Sequence, residues 1–93
     1  MLLKEFNEGL NMAMPTVEIY GKPMCPFCDR AKALCVSEEY SFTYKQLDID
    51  FTREELLEQF PSARTFPQIR IDGEAIGGYD QLVKWHNTDW NER

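Results

Sequence analysis

Two cysteines spaced by two residues, Cys25-Pro26-Phe27-Cys28, stand where a strand-like run gives way to a helix-like one. No other feature constrains the fold as much. Upstream, Thr16-Val17-Glu18-Ile19-Tyr20 alternates apolar and polar residues, with β-branched residues at three positions, and predicts a strand. Gly21-Lys22-Pro23-Met24 breaks it. Downstream, Phe27, Ala31, Leu34 and Cys35 recur at i, i+4, i+7 and i+8, which is one face of a helix. Pro26 suits the first helical turn, where a missing N–H costs nothing. A Cys-x-x-Cys has three common uses: a redox dithiol, half of a zinc site, or half of an iron–sulfur site. The strand–loop–helix setting favours the dithiol. Two merely buried helix cysteines would leave Pro26 and that setting unexplained.

The position has chemical consequences. Free N–H groups and the positive end of the helix dipole stabilise a thiolate. A thiol so placed can have its pKa lowered from about 8.5 into the range ~3.5–7.5. Cys25 is therefore the candidate nucleophile. Cys28 lies one turn further in, roughly 4.5 Å along the axis. From there it can attack a mixed disulfide held on Cys25.

Ninety-three residues make one domain, just large enough to bury a core without staples. The net charge of −6 disfavours a nucleic-acid or anionic-membrane surface. The charge is uneven. Glu54, Glu55 and Glu58 fall on one predicted helix, whereas Lys22, Arg30, Lys32, Arg64 and Arg70 fall near the motif or near the segment expected beside it. A basic mouth on an acidic protein suits a small anionic substrate. Three cysteines give no secreted disulfide framework. The first residues lack a signal-peptide core, and no run approaches the roughly 18 apolar residues of a transmembrane helix. The expected compartment is the reducing cytoplasm.

Residues 1–14 read as an N-terminal extension, with Leu2, Leu3, Phe6 and Leu10 on one side of a short helix, and residues 15–93 as the domain. The first helix should run from Pro26 to about Glu38, and a second strand from Ser41 to Asp50, with an imperfect alternation that suits an edge strand or one covered on both sides. Thr52 and Glu55 form a capping-box pattern, flanked by Phe51 and Leu56 as a hydrophobic staple, and that helix stops at Pro61. Asp72-Gly73 between Gln68–Ile71 and Glu74–Ile76 predicts a tight hairpin with a primed turn. Tyr79 to about Asn87 reads as a last helix, with Leu82, Val83 and Trp85 or His86 inward. The predicted class is α/β: two parallel strands joined by a right-handed crossover, plus a β-hairpin, in one four-stranded mixed sheet flanked by three helices.

This order, with Cys-Pro-Phe-Cys after the first strand, resembles the thioredoxin fold, and most closely a class I dithiol glutaredoxin. Four stretches carry the likeness: Gly21-Lys22, Cys25-Pro26-Phe27-Cys28, Thr65-Phe66-Pro67-Gln68-Ile69 and Ile76-Gly77-Gly78-Tyr79-Asp80. The resemblance implies a cis peptide at Pro67, which turns the Phe66 backbone toward the nucleophile as a short edge for a peptide substrate. It implies glutathione as co-substrate, with no tightly bound cofactor and no metal. The γ-glutamyl end would lie at Gly78, Tyr79 and Asp80. The glycyl carboxylate would lie at Lys22, with Arg64 or Gln59 beside it. Phe27 replaces the commoner Tyr and keeps an apolar wall beside Thr65, Phe66 and Pro67. One departure is Gln81, where many members carry a second acid.

The implied activity is glutathione-dependent thiol–disulfide exchange on disulfide-bearing or glutathionylated proteins by a monomer, with ribonucleotide reductase as one candidate partner. Two alternatives stay open. One is a thioredoxin-like donor reduced by a flavoprotein reductase, for which Gln81 leaves room. The other is a dimeric scaffold holding an iron–sulfur cluster with Cys25 and glutathione, a role more typical of monothiol relatives with Ser in place of Cys28. Cys35 reads as core, His86 as a surface or half-buried residue, and Trp85 and Trp90 as packing residues.

Overall fold

The structure, a computed structural model, describes residues 15–90. The expected extension at 1–14 lies outside the described residues, as do the side chains of Asp89 and Trp90 and residues 91–93.

The first strand, β1 (Thr16–Gly21), lies inside a four-stranded sheet of order β2-β1-β3-β4. Its neighbours are β2 (Ser41–Gln46), parallel, and β3 (Gln68–Ile71), antiparallel. β4 (Glu74–Gly77) completes the hairpin. The helices are α1 (Pro26–Ser37), α2 (Arg53–Gln59) and α3 (Tyr79–Lys84), and a π-helical turn, Trp85–Trp90, follows α3. This is the thioredoxin fold expected from the element order.

Alternation along the strands divides the core between the two sheet faces. Val17, Ile19, Ile69 and Ile71 pack against Ala31 and Cys35 of α1 and Leu82 of α3. On the other face Tyr20 packs with Phe51, Leu56 and Phe60 around α2, its ring edge-on to both phenylalanines at 5.2 Å. Phe51 and Leu56 thus meet as a staple, and both halves of the Thr52–Glu55 capping box form, at 2.8 and 3.1 Å. At the hairpin, Asp72 and Gly73 take φ of 52° and 86°, the two left-handed residues of a type I′ turn.

Three expectations need correction. β2 is an edge strand but ends at Gln46, not Asp50. The Asp50 carboxylate accepts the Gln46 N–H at 2.8 Å, and Asp48 adopts φ 67°, so the aspartates turn the chain before Phe51. The last helix does not stop at Asn87. It widens into the π-turn, where Thr88 Oγ1 donates to the Lys84 carbonyl at 2.7 Å. That turn sets Trp85 edge-on to Tyr40 at 5.4 Å and His86 against the Tyr40 hydroxyl, so His86 is half-buried and Trp85 is packing. Two of the basic residues expected near the motif lie elsewhere. Arg70 pairs with Glu18 at 3.6 Å and donates to Gln59 on the α2 face, and Lys32 sits over the Tyr44 ring.

Candidate active site

Cys25 is the N-cap of α1, in extended conformation at φ −126°, with Pro26 in the first turn. Its sulfur accepts the Cys28 N–H at 3.1 Å, and its carbonyl accepts the Asp29 N–H at 3.1 Å. The residue before it, Met24, is 97% exposed at φ 56°. That left-handed turn lets the chain leave β1 and enter α1 with Cys25 at the helix mouth. Cys25 and Cys28 form a disulfide with Cα atoms 5.2 Å apart, inside the normal range. Cys25 keeps 6% of its surface and Cys28 none, so of the two residues only Cys25 reaches the surface.

Opposite the sulfur stands the Phe66 carbonyl oxygen, 3.9 Å away, in a peptide whose link to Pro67 is cis. As part of a disulfide, Cys25 has no proton to donate to it. Gln68 braces this segment: it is largely buried, and its side-chain amide donates to the Thr65 carbonyl at 2.8 Å. The α3 segment then comes close. A Cβ on Gly78 would lie 3.3 Å from the Pro67 carbonyl oxygen, tighter than a side chain tolerates without movement.

Between these segments runs a groove of about 250 Å³. Phe27, Thr65, Phe66 and Pro67 form one part of its wall, and Gly78, Tyr79 and Asp80 another. The Phe27 and Tyr79 rings are 5.8 Å apart. Lys22 stands at the rim, its ammonium 5.6 Å from the centre of the Phe66 ring, and Arg30 lies 5.2 Å from the centre of the Phe27 ring. Asp80 is exposed, and among the described residues its carboxylate has no partner. Arg64 lines a second, larger cleft of about 480 Å³ on the other side of Thr65. Gln59 lines that cleft too, and its oxygen accepts from Tyr20 and Arg70.

Sequence reasoning treated Gln81 only as a missing acid, but it lines both cavities. Its Oε1 accepts the Gly78 N–H at 2.9 Å, half of a capping box whose other half glycine cannot supply. Gly78-x-x-Gln81 at the helix start was the available signal. Gln68 and the exposed Met24 carried no comparable signal. Cys35 is fully buried, and burial pushes its thiol up to about 11, so it stays protonated and inert at neutral pH. Among the described residues, no three His, Cys, Asp or Glu side chains are placed to hold a metal ion.

The glutaredoxin family model matches residues 17–76, which include the Cys-x-x-Cys, the cis-proline segment and all but the last residue of the hairpin. The chain belongs to the glutaredoxin family. Glutaredoxin 3 of Escherichia coli (strain K12) is 44% identical over 69 residues, covering 74% of this chain and 83% of the relative. Among solved structures, reduced Escherichia coli glutaredoxin superposes with a TM-score of 0.71 at 28% identity, over 82% of this chain and 98% of that one. A buckwheat glutaredoxin–glutathione complex superposes with a TM-score of 0.63 at 25% identity, over 89% and 86% of the two chains. A glutaredoxin with a disulfide between the two cysteines of its Cys-x-x-Cys is a thiol–disulfide oxidoreductase.

Proposed function

We propose that this glutaredoxin reduces protein disulfides and glutathione mixed disulfides, with glutathione as its co-substrate. The observation that carries the proposal is the N-cap geometry of Cys25: its sulfur already accepts a helix N–H at 3.1 Å, and it faces the carbonyl of Phe66, which lines a groove with a polar end. A thiolate there gains a charge-assisted hydrogen bond and the helix dipole.

The exchange runs by thiolate attack on sulfur. The Cys25 thiolate attacks one sulfur of a substrate disulfide, and a Cys25–substrate bond forms. The other substrate sulfur leaves and takes up a proton. Cys28 then attacks the Cys25 sulfur, releases the second substrate thiol and closes the protein disulfide. Glutathione reopens that disulfide by attack at Cys25, and a second glutathione displaces the first as glutathione disulfide.

The groove supplies what an extended γ-glutamyl tripeptide requires. Backbone at Phe66, beside Thr65 and the cis Pro67, pairs with the central cysteine as a short added strand. Lys22 meets the glycyl carboxylate, and Phe27 and Tyr79 wall the groove. Gly78 keeps the floor open, and Asp80, the one carboxylate among the described lining residues, meets the ammonium group. The buckwheat complex with glutathione supports this reading.

The deciding experiment supplies one small glutathione mixed disulfide with two reducing systems. Glutathione with glutathione reductase should sustain turnover, and thioredoxin reductase should not. Turnover with thioredoxin reductase alone would replace this reading with a thioredoxin-like one.

A further inference from the structure

We propose that the cleft beyond the Thr65 ridge is a second binding site, which takes an acidic, partly apolar segment of a disulfide-bearing protein while that protein's disulfide lies at Cys25. This rests on the reading of the first groove as the exchange site, and adds the place and chemistry of the substrate's neighbouring chain.

The two cavities adjoin. Thr65, Gly78 and Gln81 line both, so a chain leaving the groove beside Cys25 has only the Thr65 ridge to cross to reach the cleft. The cleft is the larger, at about 480 Å³ against 250 Å³, and Phe60, Pro61 and Ile76 give it an apolar wall.

Its polar groups point to one class of occupant. In a chain of net charge −6, no carboxylate among the described residues lines the cleft, and the one charged side chain among them there is Arg64, which is exposed. Two of its three glutamines have their oxygen ends committed. Gly78 N–H and the Arg70 guanidinium can only donate, so the atoms they meet on Gln81 and Gln59 are the amide oxygens. The –NH₂ ends of both remain as donors. The third, Gln68, spends its own –NH₂ on the Thr65 carbonyl and so fixes the ridge. A cation and spare donors beside an apolar wall suit carboxylates spaced around an apolar side chain. A basic segment would find no counter-charge there.

The test uses the full chain in its reduced form and two synthetic peptides. Each peptide carries an internal disulfide, flanked on both sides by Glu-Leu-Glu in one and by Gln-Leu-Gln in the other. On mixing, the protein dithiol becomes the Cys25–Cys28 disulfide and the peptide disulfide becomes two thiols, so no glutathione is needed. At low ionic strength the Glu peptide should react about tenfold faster than the Gln peptide, against the protein's net charge. Ala75→Glu, on the β4 wall of the cleft, should cut that preference to below about threefold. Ser62→Glu should do the same and stands in should Ala75→Glu fold poorly. Val36→Glu, which adds equal charge on the exposed end of α1, should keep the preference. Equal rates for the two peptides would overturn the proposal, as would a preference that survives both cleft variants or falls equally in Val36→Glu. Glutathione turnover is read separately on a small mixed disulfide. Its absence would count against the proposed co-substrate and leave the peptide comparison intact.

Discussion

Cys25 and Cys35 occupy one helix and face opposite electrostatics. Cys25 caps the α1 N-terminus, where its sulfur already accepts a backbone N–H. Cys35 lies two turns past Cys28, fully buried against Val17 and Leu82, and burial holds its thiol up near 11. In the reduced protein, thiolate absorbance followed against pH should show Cys25 titrating well below ~8.5. An ordinary thiol value would remove the basis for its assignment as nucleophile. The Cys35 shift also has a stability consequence. Folded Cys35 keeps its proton to about pH 11, whereas an unfolded thiol releases it near 9.0. Between those values the native state binds more protons, so stability is fully present below the unfolded pKa and falls as pH rises through the window. Cys35→Ala removes the term. Urea unfolding of the disulfide form should show wild type losing about 2 kcal/mol more than Cys35→Ala between pH 8 and 11. At the groove, Asp80→Ala should raise the KM for glutathione severalfold, a cost of about 1 kcal/mol for one exposed charge contact. It should leave the Cys25 titration unchanged, because α1 and not Asp80 sets that value.

At the scale of elements, the local signals proved the most readable. Thr52, Glu55 and the Phe51–Leu56 staple define the start of α2 within six residues of chain, and all of these contacts form. Thr52→Ala should lower stability by about 1 kcal/mol in urea unfolding and leave exchange unchanged, since the cap touches neither groove nor sulfur. Asp72-Gly73 likewise carries its turn type in two residues. What failed depended on contacts that periodicity does not encode, one of them local and the others between residues distant in sequence. The end of β2 hinged on the Asp50 carboxylate choosing the Gln46 N–H over solvent. The π-turn carries Trp85 and His86 onto Tyr40, 45 and 46 residues earlier, a meeting that periodicity within the last helix cannot foresee. Arg70 sits in a strand whose alternation turns it to the α2 face, where Glu18 and Gln59 hold it away from the cysteines. At the site, the resemblance named Phe27, Thr65, Phe66, Pro67, Gly78, Tyr79 and Asp80, which line the groove, and Arg64, which lines the neighbouring cleft instead. Gln81 was read as an absence because its role is a backbone cap, visible only once Gly78 is known to start a helix.

At the scale of the molecule, the fold's contribution is to bring together three segments that are far apart in the chain. The parallel crossover returns the chain beside β1, and the antiparallel β3 then carries the Thr65–Pro67 segment to the mouth of α1. The Phe66 carbonyl thereby stands 3.9 Å from a sulfur 41 residues away. The hairpin reverses direction once more and sets Gly78 against Pro67, which closes the groove beside the disulfide. The arrangement leaves Cys25 slightly exposed and Cys28 sealed, which suits the proposed division of labour, in which Cys25 exchanges with partners and Cys28 resolves. The most direct measurement is glutathione-supported turnover of a small mixed disulfide and of a protein disulfide by wild type, Cys25→Ser and Cys28→Ser. Cys25→Ser should lose both activities. Cys28→Ser should keep the first, which needs one sulfur, and lose most of the second. Activity remaining in Cys25→Ser, or Cys28→Ser matching wild type on both substrates, would contradict the assigned roles.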